Sequence, residues 1–315
     1  MTAHLVAPGS RIGYLGPIGT FSEQALLTQP DLAAAEHEPW GSFAEILFAV
    51  ADGELDFGFV AVENAIEGTV NVTMDTLAFD VDLLIQREVV LPVEMDLMLR
   101  PGTELASVKK VSSFPHAYAQ CRTWLRANLP GVELVPAAST AEAAEAVALS
   151  AGSDTAAIAN ARAAEVYGLT IVASDIEDHP ENATRFVLVG REGVPAPTGH
   201  DRSTIVVFQR ADAPGSLLAV LQEFAARQIN LSLLLSRPTK TALGDYCFLI
   251  DLEGHIADEV VADCLRSLKT KQADVKFLGS YPRGDAGGTQ ARDEVDASAR
   301  DANEWLNALR SQIRP

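Results

Sequence analysis

STIVVFQR at residues 203–210, PGSLLAVLQEFAARQ at 214–228 and INLSLLLS at 229–236 are followed by GDYCFLID at 244–251, IADEVVADCLRSLKTK at 256–271 and DVKFLGSY at 274–281. The first, third, fourth and sixth of these are apolar runs of strand length. The second and fifth repeat their apolar residues at helical spacing. Pro214 belongs in the first turn of the earlier helix, where a missing N–H leaves no bond unmade. The order βαββαβ within about 80 residues is the split-βαβ, ferredoxin-like arrangement.

Just before this block stands REGVPAPTGHD, residues 191–201, rich in Pro and Gly and without periodicity, which reads as a linker. Upstream, from Arg11 to Gly190, short apolar runs alternate with helical patterns, as in an α/β domain. Ile12–Leu15, Phe57–Val62, Val93–Leu99, Thr155–Ala159 and Phe186–Val189 read as strands. Thr20 with Glu23, Ser42 with Glu45 and Ser139 with Glu142 each place a hydroxyl three residues before a glutamate, the spacing of a capping box. Downstream, RGDAGGTQARDEVDASARD at 283–301 is polar, and Trp305, Leu306 and Leu309 have the spacing of a helix docked on other structure. No internal repeat is visible.

At 315 residues the chain is long enough for about two domains, and 48% hydrophobic with 21% charged residues is ordinary globular usage. The formal net charge of −19 argues against nucleic acid or an anionic membrane as partner. It also repels an anionic substrate, so local donors must attract one. Cys121, Cys247 and Cys264 are scattered, in no metal or redox spacing, and fit a reducing compartment. The opening MTAHLVAPGSRIGYLG lacks the pattern of a signal peptide, and no apolar run reaches the length of a membrane span. The expectation is a cytoplasmic protein.

Several polar residues stand where strands should end. GPIGTFSEQAL at 16–26 is a glycine-bearing turn into a helix start, which can hold a carboxylate; as a segment by itself it reads more simply as a turn. Glu63 and Asn64 close the run FGFVAVEN, at the strand end where open α/β sheets place ligands. Ser113 precedes Phe114-Pro115, and two helical turns would return Gln120 to its face. His116 is a lone histidine, more often a surface or packing residue than a base. Thr184 and Arg185 stand directly before the apolar run FVLV. Arg185 suits bidentate pairing with a carboxylate, or a salt bridge to Asp178 or Glu181. By themselves these pieces describe a polar cleft and name no reaction.

Together, GYLGPIGTFSEQAL (13–26), VENAIEGTVNVTMDTL (62–77), SFP with Gln120 (113–120), STAEAA (139–144), AAEVYGL (163–169) and NATRF (182–186) resemble, in order, the motifs of prephenate dehydratases. These enzymes convert prephenate to phenylpyruvate on the phenylalanine pathway. The second domain looks like an ACT domain, an amino-acid-sensing module. ADAPGSL at 211–217 and NLSLLLSRPTK at 230–240 match its effector motifs. The resemblance implies a two-lobed catalytic domain like type II periplasmic binding proteins at 11–190, with lobes of about 11–85 plus 170–190, and 86–169. A linker at 191–202, an ACT domain at 203–281 and a tail at 282–315 would follow.

Carried over residue by residue, the resemblance makes Thr184 and Glu63 catalytic, and places Thr20, Asn64, Ser113, Gln120 and Arg185 around the substrate. Pro214, Gly215, Ser216, Leu217, Asn230, Leu235, Ser236, Arg237 and Pro238 would shape the effector pocket, the last three as a turn. This chain departs from the family in reading Ser113-Phe114-Pro115 for SHP, Glu63-Asn64-Ala65 for ENS, and Leu235-Ser236-Arg237-Pro238 for ESRP. No chorismate mutase extension precedes Met1, so that activity is not expected.

The implied chemistry needs no cofactor and no metal. Loss of carbon dioxide and hydroxide makes the ring of prephenate aromatic, and a Thr184 hydroxyl resupplied from Glu63 or water would assist departure of the hydroxyl. Helix-start amides near Thr20 and Thr140, with Arg185, are expected to bind the two carboxylates. The implied partners are prephenate, the effector L-phenylalanine, and further copies of the chain in a homodimer or homotetramer. Two other readings remain open: an arogenate dehydratase, and a non-catalytic sensor of amino acids or prephenate.

Overall fold

The structure is a computed structural model that describes residues 6–150, 152, 154–209, 213–239, 245–272, 274–284, 305 and 308–312. The chain divides into two compact units, residues 1–74 with 89–188, and residues 75–88 with 189–315.

The first unit begins with β1 (Arg11–Leu15), α1 (Phe21–Leu27), α2 (Pro30–Ala33), β2 (Glu36–Trp40) and α3 (Phe43–Asp52). β3 (Phe57–Asn64), β4 (Gly68–Thr69), α4 (Asn71–Asp75) and β5 (Leu84–Pro92) follow. The next stretch holds β6 (Asp96–Leu99), β7 (Lys110–Ser113), α5 (Pro115–Ala119), α6 (Arg122–Asn128), β8 (Glu133–Pro136) and α7 (Thr140–Leu149). It ends with β9 (Thr155–Ala159), α8 (Ala161–Tyr167) and β10 (Thr170–Ala173), before β11 (Ala183–Gly190). Two sheets result, ordered β2-β1-β3-β11-β5 with β4 beside β3, and β10-β6-β9-β7-β8. β10 pairs with β6 in the second sheet and β5 joins the first. The sheets thus divide the chain away from the 85/86 and 169/170 limits that the resemblance implied.

Three capping boxes start helices as expected: Thr20, Ser42 and Ser139 accept from the amides of Glu23, Glu45 and Glu142. β1 runs parallel to β2 and β3, and β7 parallel to β8 and β9, which brings several C-terminal strand ends to loops carrying polar residues. Phe59 of β3 and Phe186 of β11 stack with ring centroids 5.3 Å apart. That contact fixes the two strands whose ends carry Glu63, Asn64, Thr184 and Arg185. Thr184 and Arg185 lie within β11, not before it, because Ala183 O already accepts from Ala65 N at 2.9 Å.

The turn after β1 meets α8. Gly19 has φ +89°, and a Cβ there would stand 3.3 Å from Ala163 Cα. Arg162 donates to the buried Glu23 carboxylate at 2.9 Å, and Tyr167 Oη donates to Ile18 O at 2.9 Å. Burial, with Glu23 close by, pushes the Tyr14 phenol up to about 12, so it stays protonated.

The second unit contains β12 (Asp201–Phe208), α9 (Ser216–Ala225), β13 (Leu231–Pro238), β14 (Tyr246–Glu253), α10 (Glu259–Lys271) and β15 (Asp274–Pro282). The sheet order β13-β14-β12-β15 is the ferredoxin-like one. Its core holds Ile205, Val207, Val220, Phe224, Ile250 and Leu268. Two local expectations change. Pro214 precedes the helix, whose N-cap is Gly215 at φ +87°, a conformation open to glycine at little strain. Ser236–Pro238 are the end of β13 rather than a turn, paired with Phe248, Cys247 and Tyr246. Pro238 is tolerated there because β13 is an edge strand. Residues 75–88 belong to this unit through Arg237 with Asp75, Lys276 with the Val81 carbonyl, Arg202 with Glu88, and the Phe79–Phe208 ring contact. Trp305 and Leu309 are helical but 65% and 42% exposed, so no docking is seen; Leu306 lies outside the described residues.

Cys121, Cys247 and Cys264 are buried, and burial pushes their thiols up to about 12, 11 and 12. They remain protonated and pack as apolar groups. No helix among the described residues is long and apolar enough to cross a membrane.

In the second unit, hydrogen bonds from Lys271 and Ser267, and then Arg227, hold Glu223 down at about 2 against an ordinary 4.5. A lowered carboxylate stabilises the fold above its ordinary titration range, and that contribution is lost as pH falls toward the folded value. Lys271 is solvent-exposed, so screening keeps the effect small. Glu223→Gln should cost about 1 kcal/mol at pH 7, and thermal denaturation should show the difference shrinking from pH 5 to pH 3. An equal difference at every pH would contradict it.

Candidate active site

Five of the residues singled out from sequence, Glu63, Asn64, Gln120, Thr184 and Arg185, fall into three small hydrogen-bonded groups. In the first, Asn64 Nδ2 donates to Thr184 Oγ1 at 3.0 Å, across 120 residues of sequence. Asn64 cannot turn its amide over freely, because Oδ1 accepts from the backbone amides of Ile66 at 2.9 Å and Glu67 at 3.0 Å. The NH₂ end is therefore fixed toward Thr184. A hydroxyl that accepts an N–H keeps its own proton to give, and the incoming bond polarises it toward giving. Both residues are half-buried, so the hydroxyl is within reach of a small ligand.

In the second group, Arg185 Nε donates to Glu63 Oε2 at 3.1 Å. This is the salt bridge left open from sequence, but with Glu63 as the acid. Asp178 instead accepts from the Thr123 amide at 3.1 Å, and Glu181 pairs with His179 at 3.2 Å. Among the described residues no hydrogen bond joins Glu63 to Thr184. The pair has an electrostatic consequence: Arg185 neutralises a carboxylate that would otherwise repel an anion approaching Asn64.

In the third group, Asn182 Nδ2 donates to Gln120 Oε1 at 3.1 Å. Asn182 opens NATRF, and its place two residues before Thr184 is the signal in the sequence that points to it. The expected two-turn helix from Ser113 to Gln120 is a single short helix, α5, with Gln120 as its C-cap.

The remaining residues are engaged elsewhere. Ser113 is fully buried and donates to Ile158 O at 2.7 Å, tying β7 to β9. Thr20 donates to Leu15 O at 2.9 Å and caps α1, while Gly19 N donates to the Glu23 carboxylate. At α7, Ser139 accepts from Glu142 N and Ala138 N donates to Glu142 Oε2 at 2.9 Å. At each helix start expected to receive a carboxylate, the capping box thus takes up two backbone amides, Gly19 and Glu23 at α1 and Ala138 and Glu142 at α7. His116 pairs with Glu67 at 3.0 Å on the surface.

In the second unit, Ser216 Oγ donates to Gln209 Oε1 at 2.8 Å, and Asn230 O accepts from Glu253 N at 2.9 Å. Gly215 and Asn230 are exposed, as are Pro214, Ser236 and Pro238, while Leu217 and Leu235 are half-buried. Arg237 is held by Asp75 through two bonds of 2.8 and 2.7 Å. Among the described residues no group of three or more His, Cys, Asp or Glu side chains is placed to hold a metal. An open hollow of about 540 Å³ beside α6 is lined by Tyr118, Arg122, Leu125 and Leu134, and includes none of the residues above.

A profile of the prephenate dehydratase family matches residues 12–194, and one of the ACT domain matches residues 203–270. A prephenate dehydratase from Mycolicibacterium vanbaalenii is 45% identical over 313 residues, covering 95% of this chain and 98% of that protein. The crystal structure of prephenate dehydratase in complex with L-Phe from Arthrobacter aurescens superposes with a TM-score of 0.86 at 39% identity, covering 96% of this chain and 99% of that one. A structure described as GqqA, a novel type of quorum quenching acylase, is 29% identical with a TM-score of 0.77, covering 87% of this chain and 98% of its own. A shared architecture therefore does not by itself assign a reaction.

Proposed function

Because the chain belongs to the prephenate dehydratase family, we propose that it converts prephenate to phenylpyruvate for L-phenylalanine biosynthesis, with Thr184 assisting departure of the ring hydroxyl. The observation that carries the role of Thr184 is its bond from Asn64, whose own orientation is locked by two backbone amides.

The electron flow is simple. The bond to the leaving carboxylate breaks, carbon dioxide departs, and its electron pair enters the ring. The C–O bond at the ring hydroxyl breaks with its pair, and the proton offered by Thr184 turns the leaving hydroxide into water. General acid help of this kind contributes about 10²–10⁴-fold. Glu63 is occupied by Arg185, so in this reading solvent returns the proton to Thr184. Neutral donors suit the carboxylate that leaves, because its charge is lost in the transition state. Gln120 is such a donor.

The ferredoxin-like unit takes L-phenylalanine as effector, between copies of the chain in a dimer or tetramer. Exposed Leu234 on edge strand β13 and exposed Leu218 on α9 offer an apolar surface for a second copy. The pocket would lie between the α9 start at Pro214–Leu217 and the Asn230–Pro238 strand. Three buried, unpaired thiols accord with a cytoplasmic location.

Phenylpyruvate formation, assayed with prephenate and with arogenate, with and without phenylalanine, tests the reading. Prephenate should be consumed in preference, and phenylalanine should lower the rate. Asn230→Ala or Gly215→Val should weaken the response to phenylalanine without altering the basal rate. Tight prephenate binding without product would make the chain a sensor, and preferential arogenate turnover would change the substrate.

A further inference from the structure

Asn182 is 2% exposed, and its main chain is pinned on both sides: its N–H donates to His179 O at 3.1 Å and its carbonyl accepts from Val93 N at 2.9 Å. Its side chain makes one described bond, Nδ2 to Gln120 Oε1 at 3.1 Å. The buried Oδ1 has no hydrogen-bond partner. Two primary amides facing each other can bond with either polarity, since each presents oxygen at one edge and nitrogen at the other. If both turned over, Gln120 would donate and Asn182 would accept. The Asn182 NH₂ would then be buried without an acceptor, and orphaned buried N–H groups are rarer than under-satisfied carbonyl oxygens. The observed polarity spends the Gln120 oxygen on Asn182 and leaves Gln120 Nε2 as the free edge of its amide.

That edge decides what an anion meets. We propose that Asn182 is a positioning residue that sets the polarity of the Gln120 amide, so that Gln120 offers N–H rather than C=O to a substrate carboxylate. The proposal rests on the dehydratase reading and on Gln120 as a substrate contact. It gives Asn182 no contact with substrate; Asn182 acts through Gln120. Aspartate at this position has almost the same shape but only accepts. It would draw Gln120 Nε2 toward itself and turn the Gln120 oxygen toward the carboxylate, which is worse for binding than losing the partner altogether.

The test is steady-state kinetics of the full chain with prephenate, for Asn182→Ala and Asn182→Asp, each alone and combined with Gln120→Ala. Alone, Asn182→Ala should lower kcat/KM about tenfold, mostly through KM, because Gln120 grips a carboxylate before the reaction begins. Asn182→Asp should lower it further, despite the closer match in size. In the Gln120→Ala background neither change at residue 182 should move kcat/KM by more than about twofold. Melting temperatures separate a folding defect from a kinetic one, and if the aspartate variant fails to fold, the alanine pair still decides. Independent, multiplying effects in the two backgrounds would overturn the proposal, as would a Gln120→Ala variant with unchanged KM. A wild-type chain that forms no phenylpyruvate would instead remove the dehydratase reading, and this proposal with it.

Discussion

Thr184→Val should lower kcat for phenylpyruvate formation by about tenfold or more, while Thr184→Ser keeps most of the rate. Valine preserves the branched shape and the strand preference of β11 but has no proton to offer. It also leaves the Asn64 NH₂ without its acceptor, since Asn64 Oδ1 stays bound to the amides of Ile66 and Glu67. Thr184 is only half-buried, so water can satisfy that NH₂ and the melting temperature should move little. Steady-state kinetics beside a thermal melt make the check. Unchanged kcat in the valine variant would remove Thr184 from the chemistry.

Glu88→Ala should destabilise the second unit by about 3 kcal/mol. The Glu88 and Arg202 side chains are 1% and 8% exposed and ion-paired, and Glu88 also accepts from the Gly284 amide at 3.0 Å. Removing one member of a buried pair leaves the other as an uncompensated charge, which is the costly case. Asp251 stands 3.9 Å from Arg202 and moderates the loss, while Arg202 Nε already lacks a partner. Replacing both residues at once, Glu88→Leu with Arg202→Met, should recover much of the stability. Denaturant unfolding reads both variants. A Glu88→Ala variant within about 0.5 kcal/mol of wild type would show that the pair contributes nothing.

The same pair shows why parts of the fold were hidden in the sequence. LIQREVVLP became β5, yet its Gln86 and Glu88 look like surface residues until the Glu192 carbonyl is folded against the first and Arg202, 114 positions away, against the second. EHEPW and ELVP became β2 and β8, short edge strands with no fully buried residue and no alternation to announce them. FGFVAV, FVLV and TAAIA were legible because central strands bury both faces. The three capping boxes were legible because their chemistry is local.

For the site, residue types and strand ends pointed only to a polar cleft, and the family resemblance supplied the reaction. Neither source contains the pairing itself. That Arg185 meets Glu63 rather than Asp178 or Glu181, and that Asn182 meets Gln120, are long-range facts decided by how two sheets and the segment between them are folded. The hydroxyls of Thr20 and Ser113, which the resemblance places around the substrate, donate to the Leu15 and Ile158 carbonyls, contacts that residue type alone does not announce.

A crystal structure of the protein with an unreactive prephenate analogue that keeps the ring hydroxyl tests the central claim most directly. The ring hydroxyl should lie within about 3 Å of Thr184 Oγ1, with a carboxylate against Gln120 Nε2. An analogue seated with its hydroxyl turned away from Thr184, or bound away from Asn64 and Thr184, would contradict it.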